Sequence, residues 1–241
     1  MNLTIDIGNS YTKIGAFKEN VLVEVKAFNN GAYDQLIEEI NGYKESLGRI
    51  IVCIVTEQNN MFYEYLNSKY NVINLSKSTP IPIKNLYHSI ETLGMDRLAA
   101  IVGSRHFFES GDVLVIDAGT CITYDFINKN DEYIGGSISP GLSMRYKALN
   151  NYTGKLPLVH SIDSTNLIGR STLEAIKSGV INGTKSEIDS IIQKYKWSFP
   201  DLKAIITGGD GIFIQNQIKN SIFAAPNLVL YGLNEILKFN N

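Results

Sequence analysis

Cysteine, histidine and tryptophan are scarce in this chain, and no charge sign dominates. Two cysteines, Cys53 and Cys121, among 241 residues exclude a disulfide-stapled scaffold. Both sit inside apolar strand-like runs, so buried free thiols in a reducing, cytoplasmic compartment are expected. Three scattered histidines, His88, His106 and His160, have no partner at ligand spacing, which excludes a zinc site. No apolar run approaches the ~20 residues that cross a bilayer. The N-terminus goes straight into a strand carrying Asp6, which is not the pattern of a signal peptide, so no membrane attachment is expected. Lys and Arg number 22 against 24 Asp and Glu, for a net charge of −2. Their even spread argues against a dedicated nucleic-acid surface.

What the chain does have is enough length for a core without staples and a hydrophobic content of 44%, which marks a folded protein. Its organising stretch is Val113-Leu-Val-Ile-Asp-Ala-Gly-Thr-Cys-Ile-Thr-Tyr-Asp125. It reads as a buried strand, a tight turn at Asp117-Ala118-Gly119-Thr120, and a return strand. A carboxylate ends the first strand, Gly119 lets backbone approach a bound group, and hydroxyls follow at Thr120 and Thr123. That layout suits a hairpin that holds a phosphate and its cation. Leu3-Thr-Ile-Asp-Ile-Gly-Asn-Ser-Tyr-Thr-Lys13 repeats it, with Asp6 matching Asp117, Gly8 matching Gly119 and Thr12 matching Thr123. The purely structural alternative for both aspartates is turn formation. A phosphate hairpin used twice suggests two similar halves with a nucleotide between them.

In chain order, residues 2–28 predict three strands, and a helix follows over about 32–42. Arg49 to Val55 is a β-branched run that predicts a strand buried on both faces. A helix over 59–68 and a strand over 71–75 make the pattern α/β. Pro80 and Pro82 bar helix from 76–90, so an extended loop carries Tyr87 to Leu93-Gly94-Met95-Asp96-Arg97. A helix over 96–109 would then place Asp96 at its start, where the alternative to a chemical role is an N-cap. Gly111-Asp112 marks the boundary between halves of 1–110 and 111–241. The second half opens with the hairpin 113–126 and a third strand over 132–139. Gly135 and Gly136 there imply a bulge or close backbone approach, to a ligand among the candidates. Helices over 142–151 and 172–195 follow, the second introduced by a Ser171/Glu174 capping box. A strand over 203–206 ends in Thr207-Gly-Gly-Asp-Gly211, which either passes under a nucleotide or is a plain strand-to-helix turn. Ile222 to Ala225 and a helix over 227–238 complete this half.

Several groups in this order resemble the type III pantothenate kinases of bacteria. They are Asp6-Ile-Gly-Asn-Ser-Tyr-Thr-Lys13, Tyr87 ahead of Gly94-Met-Asp-Arg97, Asp117-Ala-Gly-Thr-Cys-Ile-Thr123 and Gly135-Gly-Ser-Ile-Ser-Pro-Gly141. Leu149 with Leu156-Pro157, Gly169-Arg-Ser-Thr-Leu-Glu-Ala-Ile176 with Ser178-Gly179, and Thr207-Gly-Gly209 extend the likeness over nearly the whole chain. The Asp-Gly-Thr hairpins are common to actin-like ATPases and sugar kinases, whereas the Gly-x-Asp-Arg and Gly-Gly-x-Ile-x-Pro-Gly pieces discriminate. Ser10 stands where the family usually has Thr, and Cys121 where it often has Ala.

The resemblance implies two ribonuclease-H-like halves of the actin-like ATPase and sugar kinase superfamily, with ATP in the cleft. It implies a homodimer that builds the pantothenate pocket, and dependence on Mg²⁺ and on K⁺ or NH₄⁺. The reaction would be ATP-dependent phosphorylation of pantothenate, the first step towards coenzyme A. Residues 6–13 (Asp6, Ile7, Gly8, Asn9, Ser10, Tyr11, Thr12 and Lys13) would cradle the ATP phosphates, with Asp6 holding Mg²⁺ directly or through water. Lys13 is either a point charge for phosphate or a solvated strand-end lysine. By the same resemblance Thr120 touches ATP phosphate and Asp117 binds the monovalent cation. Asp96 would be the general base, and Tyr87, Gly94, Met95, Asp96, Arg97 and Thr172 would line the substrate. The structural alternatives are core packing for Tyr87, a surface salt bridge for Arg97 and a first-turn helix position for Thr172. Rival readings are a sugar kinase of the same superfamily, and a non-catalytic regulator on the same fold. The joint presence of Asp6, Asp96 and Asp117 disfavours the regulator.

Overall fold

The computed structural model describes residues 1–55, 60–160 and 162–240. The first position of the helix expected over 59–68 therefore lies outside the described residues. The chain forms two compact units.

The first unit comprises Met1–Ser110, Asp131–Tyr133 and Asn227–Asn241. Strands β1 (Asn2–Ile7), β2 (Tyr11–Lys18) and β3 (Val21–Asn29) precede α1 (Tyr33–Gly42), β4 (Ile50–Ile54), α2 (Asn60–Lys69) and β5 (Val72–Asn74). The sheet order is β3-β2-β1-β4-β5, with β1 antiparallel to β2 and parallel to β4. As the β-branched run predicts, Ile50, Ile51, Val52 and Cys53 are all fully buried. Leu3, Ile5 and Ile7 on one face of β1 pack with Leu36, Ile40, Phe62 and Leu66 from α1 and α2. The proline loop contributes the two-residue strand β6 (Lys84–Asn85), and a 3₁₀ turn at Ile90–Thr92 leads into α3 (Met95–Phe107). Lys84 and Asn85 pair with Glu132 and Tyr133, the start of β9 (Glu132–Pro140).

In the second unit, Gly111–Asn130 with Ile134–Pro226, β7 (Val113–Ala118) and β8 (Cys121–Ile127) form the organising hairpin. After β9 come α4 (Leu142–Asn151), α5 (Thr172–Ser198), β10 (Lys203–Thr207), a short α6 (Gly211–Gln215) and β11 (Phe223–Ala224). The strand order β9-β8-β7-β10-β11 repeats that of the first unit. In both, a strand antiparallel to its successor is parallel to the strand after the crossover. The repeated hairpin is thus part of a repeated half. Ile116, Ala118, Ile122 and Tyr124 pack with Ile188 and Ile192 of α5. The N-terminus of α5 is capped as expected: Ser171 Oγ accepts from the Glu174 amide at 3.3 Å, while Glu174 Oε2 reaches back to the Arg170 amide at 2.6 Å.

The terminal helix α7 (Leu228–Phe239), expected with the second half, belongs to the first unit. The reason is steric. Gly103 on α3 and Gly232 on α7 let the two helix backbones touch, and a Cβ on Gly232 would lie 2.9 Å from the Gly103 amide and closer still to the Ala99 carbonyl. Leu228, Leu230, Leu233, Ile236 and Leu237 are fully buried, and Arg49 donates to the Asn240 carbonyl at 2.9 Å.

Candidate active site

Strand pairing decides which side chains the first hairpin presents together. Residues directly opposite on an antiparallel pair point to the same face. Asp6 is opposite Lys13, and Ile7 is opposite Thr12. In the second hairpin Asp117 is opposite Thr123, and Ala118 is opposite Ile122. The equivalent of Thr123 is therefore Lys13 and not Thr12. The first turn holds Gly8, Asn9 and Ser10 and the second only Gly119 and Thr120, so one extra residue shifts the sequence match by one. Thr12 accordingly lies on the opposite face from Asp6, is 1% exposed, and donates to Asn30 Oδ1 at 3.1 Å. Asn30 in turn donates to the Gly8 carbonyl at 2.8 Å. Thr12 and Asn30 thus brace the turn from beneath. Asn9, Ser10 and Tyr11 are exposed, and Ile7 is buried. Lys13 reaches Asn227 Oδ1 at 3.5 Å.

On the same face of this sheet as Asp6 sits Cys53, its register partner on β4. Burial pushes the Cys53 thiol well up, and the charges of Asp6 and then Asp96 raise it further. Both carboxylates therefore act on the buried Cys53 thiol through their charge, and for Asp6 the register places it beside that residue. Asp96 is not the N-cap of α3: Gly94 is. Asp96 lies in the first turn, half-buried, and its Oδ1 accepts from the Arg97 amide at 2.8 Å. A side chain at Gly94 would stand 2.5 Å from that same oxygen, so the glycine leaves room for the carboxylate.

Arg97 is no surface salt-bridge residue, being only 7% exposed. Its guanidinium carbon lies 5.5 Å from the centre of the Tyr87 ring, a cation–π arrangement. Tyr87 stacks on the fully buried Tyr133, with centroids 5.9 Å apart and planes 4° from parallel. The loop thus brings Tyr87 to the Gly94-Met95-Asp96-Arg97 turn. Tyr133 is an addition to the expected set, with no mark in the sequence beyond its aromatic ring.

In the second unit, two glycine-bearing segments, at Gly141 and Gly208, meet at the tip of the hairpin. The Gly141 amide donates to the Thr120 carbonyl at 3.1 Å, and a Cβ there would come within 2.5 Å of the same oxygen. Gly208 has φ +90° and lies against the Ala118 carbonyl; its Cβ would sit 2.5 Å from Asp117 Oδ1. The Asp210 amide donates to Ala118 at 3.0 Å. Asp210, for which the sequence suggested no role, has its carboxyl pushed up by burial. The approach at Gly136 is to the neighbouring strand: its α-carbon packs against the Tyr124 carbonyl, which leaves no room there for a ligand. Thr120 and Thr172 are exposed. Cys121, expected buried, is half-buried because it starts β8 beside the tip.

Asp117 Oδ1 lies in a cradle of backbone that only glycine at 208 permits, which fits a cation ligand. Among the described residues no group of three or more His, Cys, Asp or Glu stands ready for a metal. No helix among the described residues is long and apolar enough to cross a membrane.

A family model described as type III pantothenate kinase matches residues 2–194. A curated type III pantothenate kinase of Phocaeicola vulgatus is 44% identical over 241 residues, covering 100% of this chain and 99% of its own. Among solved structures, a Campylobacter jejuni protein described as a candidate Baf family transcriptional activator superposes with a TM-score of 0.62 at 27% identity, covering 99% of this chain and 98% of its own. A candidate N-acetylmannosamine kinase of Listeria monocytogenes does so with 0.56 at 14% identity, covering 100% and 99%; at that identity the likeness speaks for the shared fold alone.

Proposed function

The chain belongs to the type III pantothenate kinase family, and from that premise we propose how its residues divide the work. Its reaction is ATP-dependent phosphorylation of pantothenate, which opens coenzyme A biosynthesis. Such a transfer asks mainly for positioning and charge neutralisation. Asp96 is the general base. It draws the proton from the pantothenate hydroxyl as that oxygen attacks the terminal phosphorus and ADP leaves. The observation that carries this is the half-buried Asp96 carboxylate in the first turn of α3, oriented by the Arg97 amide and given room by Gly94. Arg97 faces the substrate carboxylate, with its stem and plane held by Tyr87. Gly94 and Met95 shape the same turn, and Thr172, at the start of α5, completes the substrate contacts.

The turn from Asp6 to Lys13 holds ATP phosphates through backbone N–H groups at Gly8 and Asn9, the Ser10 hydroxyl and the Lys13 ammonium. Lys13 shares the face of Asp6, which favours it over Thr12 as the charged partner. Asp6 holds Mg²⁺, directly or through water, and Asp117 holds K⁺ or NH₄⁺ beside Thr120, which meets phosphate. When bound, these cations neutralise charge on the phosphates. Exposed apolar side chains at Tyr152, Leu167 and Ile168 support a homodimer. A cytoplasmic location suits the reduced cysteines, and the balanced charge suits a protein with no nucleic-acid partner.

The test is a coupled ADP-release assay with pantothenate, Mg²⁺ and ATP, with and without K⁺, on wild type and Asp96→Asn. Turnover should depend on pantothenate and K⁺ and fall by ~10²–10⁴ in the folded variant. A folded Asp96→Asn enzyme with full activity removes Asp96 as the base. A wild type that binds ATP yet never turns over pantothenate moves the chain to the regulatory reading.

A further inference from the structure

Behind the hairpin tip, the second unit carries a charged network that none of these roles uses. Arg145 lies in α4, just after the Ser139-Pro140-Gly141 turn. It donates through Nε to the Pro140 carbonyl at 2.8 Å, and through Nη2 to Ser139 Oγ at 2.8 Å and Glu187 Oε2 at 2.6 Å. Tyr124 on β8 donates to the other Glu187 oxygen at 2.9 Å. One guanidinium therefore grips both residues that precede Gly141, and Glu187 on α5 holds the guanidinium to the hairpin's own strand. The side chains of Arg145 and Glu187 keep only 21% and 27% of their exposure. Burial alone would raise the Glu187 carboxyl, but hydrogen bonds from Arg145, Ser139 and Tyr124 hold it below its ordinary range. The pair is thus charged and closed at neutral pH.

The next link is the Gly141 amide on the Thr120 carbonyl. Gly141 abuts the tip with no slack, because even a methyl group would not fit. We propose that Arg145 and Glu187 are positioning residues for ATP: the Tyr124–Glu187–Arg145 chain fixes the Ser139-Pro140-Gly141 turn, and that turn fixes the height of Thr120. The inference rests on the reading that Thr120 meets ATP phosphate. Lysine cannot substitute fully, since a single ammonium lacks the fork that reaches the Pro140 carbonyl, Ser139 and Glu187 together.

The experiment titrates ATP with Mg²⁺ into wild type, Arg145→Met, Arg145→Lys, Glu187→Gln and Thr120→Val by calorimetry, with urea unfolding of each. Steady-state constants for ATP and pantothenate are measured on the same proteins. Arg145→Met and Glu187→Gln should weaken ATP about tenfold, the size of one charge-assisted hydrogen bond, with the KM for pantothenate within about twofold. Arg145→Lys should recover part of the loss. Asp189→Asn serves as a control that lowers stability elsewhere in α5 and should leave ATP affinity at the wild-type value. The proposal is overturned if Arg145→Met and Glu187→Gln lose stability as the control does yet bind ATP as wild type. It is also overturned if both KM values rise together. Should Arg145→Met fail to fold, Arg145→Lys and Glu187→Gln carry the decision. Because affinity is read without pantothenate, a wrong base assignment leaves this result standing. If Thr120→Val binds ATP normally, the placement of ATP at this hairpin fails instead.

Discussion

Replacing Gly141 by alanine tests whether the hairpin tip is built by backbone contact. The new methyl would stand within 2.5 Å of the Thr120 carbonyl oxygen and 2.9 Å of its carbon, where real Cβ atoms keep at least 3.0 Å. Both obstacles are backbone, so no side chain can swing away. Overpacking of this kind costs about 1–3 kcal/mol. Displacing the turn also loosens the Gly141 amide from Thr120, worth about 1 kcal/mol more. A total of about 2–4 kcal/mol should appear in urea unfolding, with the thermal midpoint falling about 2–4 °C for each kcal/mol. The same movement shifts Thr120, and a misplacement on the order of 1 Å can cost ~10² in catalytic efficiency; that loss should fall on kcat/KM for ATP. Gly179→Ala is the matched control, since its Cβ would meet nothing within 4 Å. In an exposed helix interior the exchange should add about 1 kcal/mol and leave activity alone. If Gly141→Ala matches wild type in both unfolding and ATP kinetics, the tip is not held this way and the reasoning fails.

Two further outcomes follow from packing and charge. Gly232→Ala drives a methyl into the Ala99 carbonyl of α3 and should cost roughly 3 kcal/mol or more; urea unfolding at wild-type stability would show that α3 and α7 have room between them. Asp189 accepts from the Lys219 and Asn220 amides and from Asn220 Nδ2 at 3.0–3.1 Å. Burial would raise its carboxyl, yet those bonds hold it below the ordinary aspartate value of 3.8. A depressed pKa contributes stability above the unfolded value, and that contribution is lost as pH falls through the folded one. Asp189→Asn should therefore cost about 1–3 kcal/mol at neutral pH, and the gap from wild type should narrow only below pH 3.8. A gap that stays constant down to the acid transition would rule out the charge as its source.

Much of this was legible in the sequence because it is local. The hairpin at 113–126 announces itself by β-branched runs around Asp117-Ala-Gly-Thr, and the α5 cap by Ser171 and Glu174. The helix after Gly94 follows from spacing, although its first residue is Met95 and not Asp96. What was not legible depends on contacts between distant residues. The face on which Thr12 lies turns on a single extra residue in the first turn, which a match of motif letters does not register. That Gly136 touches Tyr124, Gly141 touches Thr120 and Gly208 shelters Asp117 is a matter of which strands neighbour which. Gly141 and Gly208 look independent along the chain because their common partner, one hairpin tip, lies elsewhere in it. The stack of Arg97, Tyr87 and Tyr133 is similar: its three members come from a helix, a loop and a strand.

The membership of α7 in the first unit has a bearing on how the protein is made. A ribosome releases residues 1–110 long before Asn227–Asn241 emerge, and domains generally fold as units as they leave it. Here the first unit must wait, because the face of α3 that carries Gly103 packs against a helix that emerges more than a hundred residues later. Nascent chains stalled in the second half would display that uncovered seam. The helix that bears Asp96 takes its final place only once Leu228–Phe239 has left the ribosome.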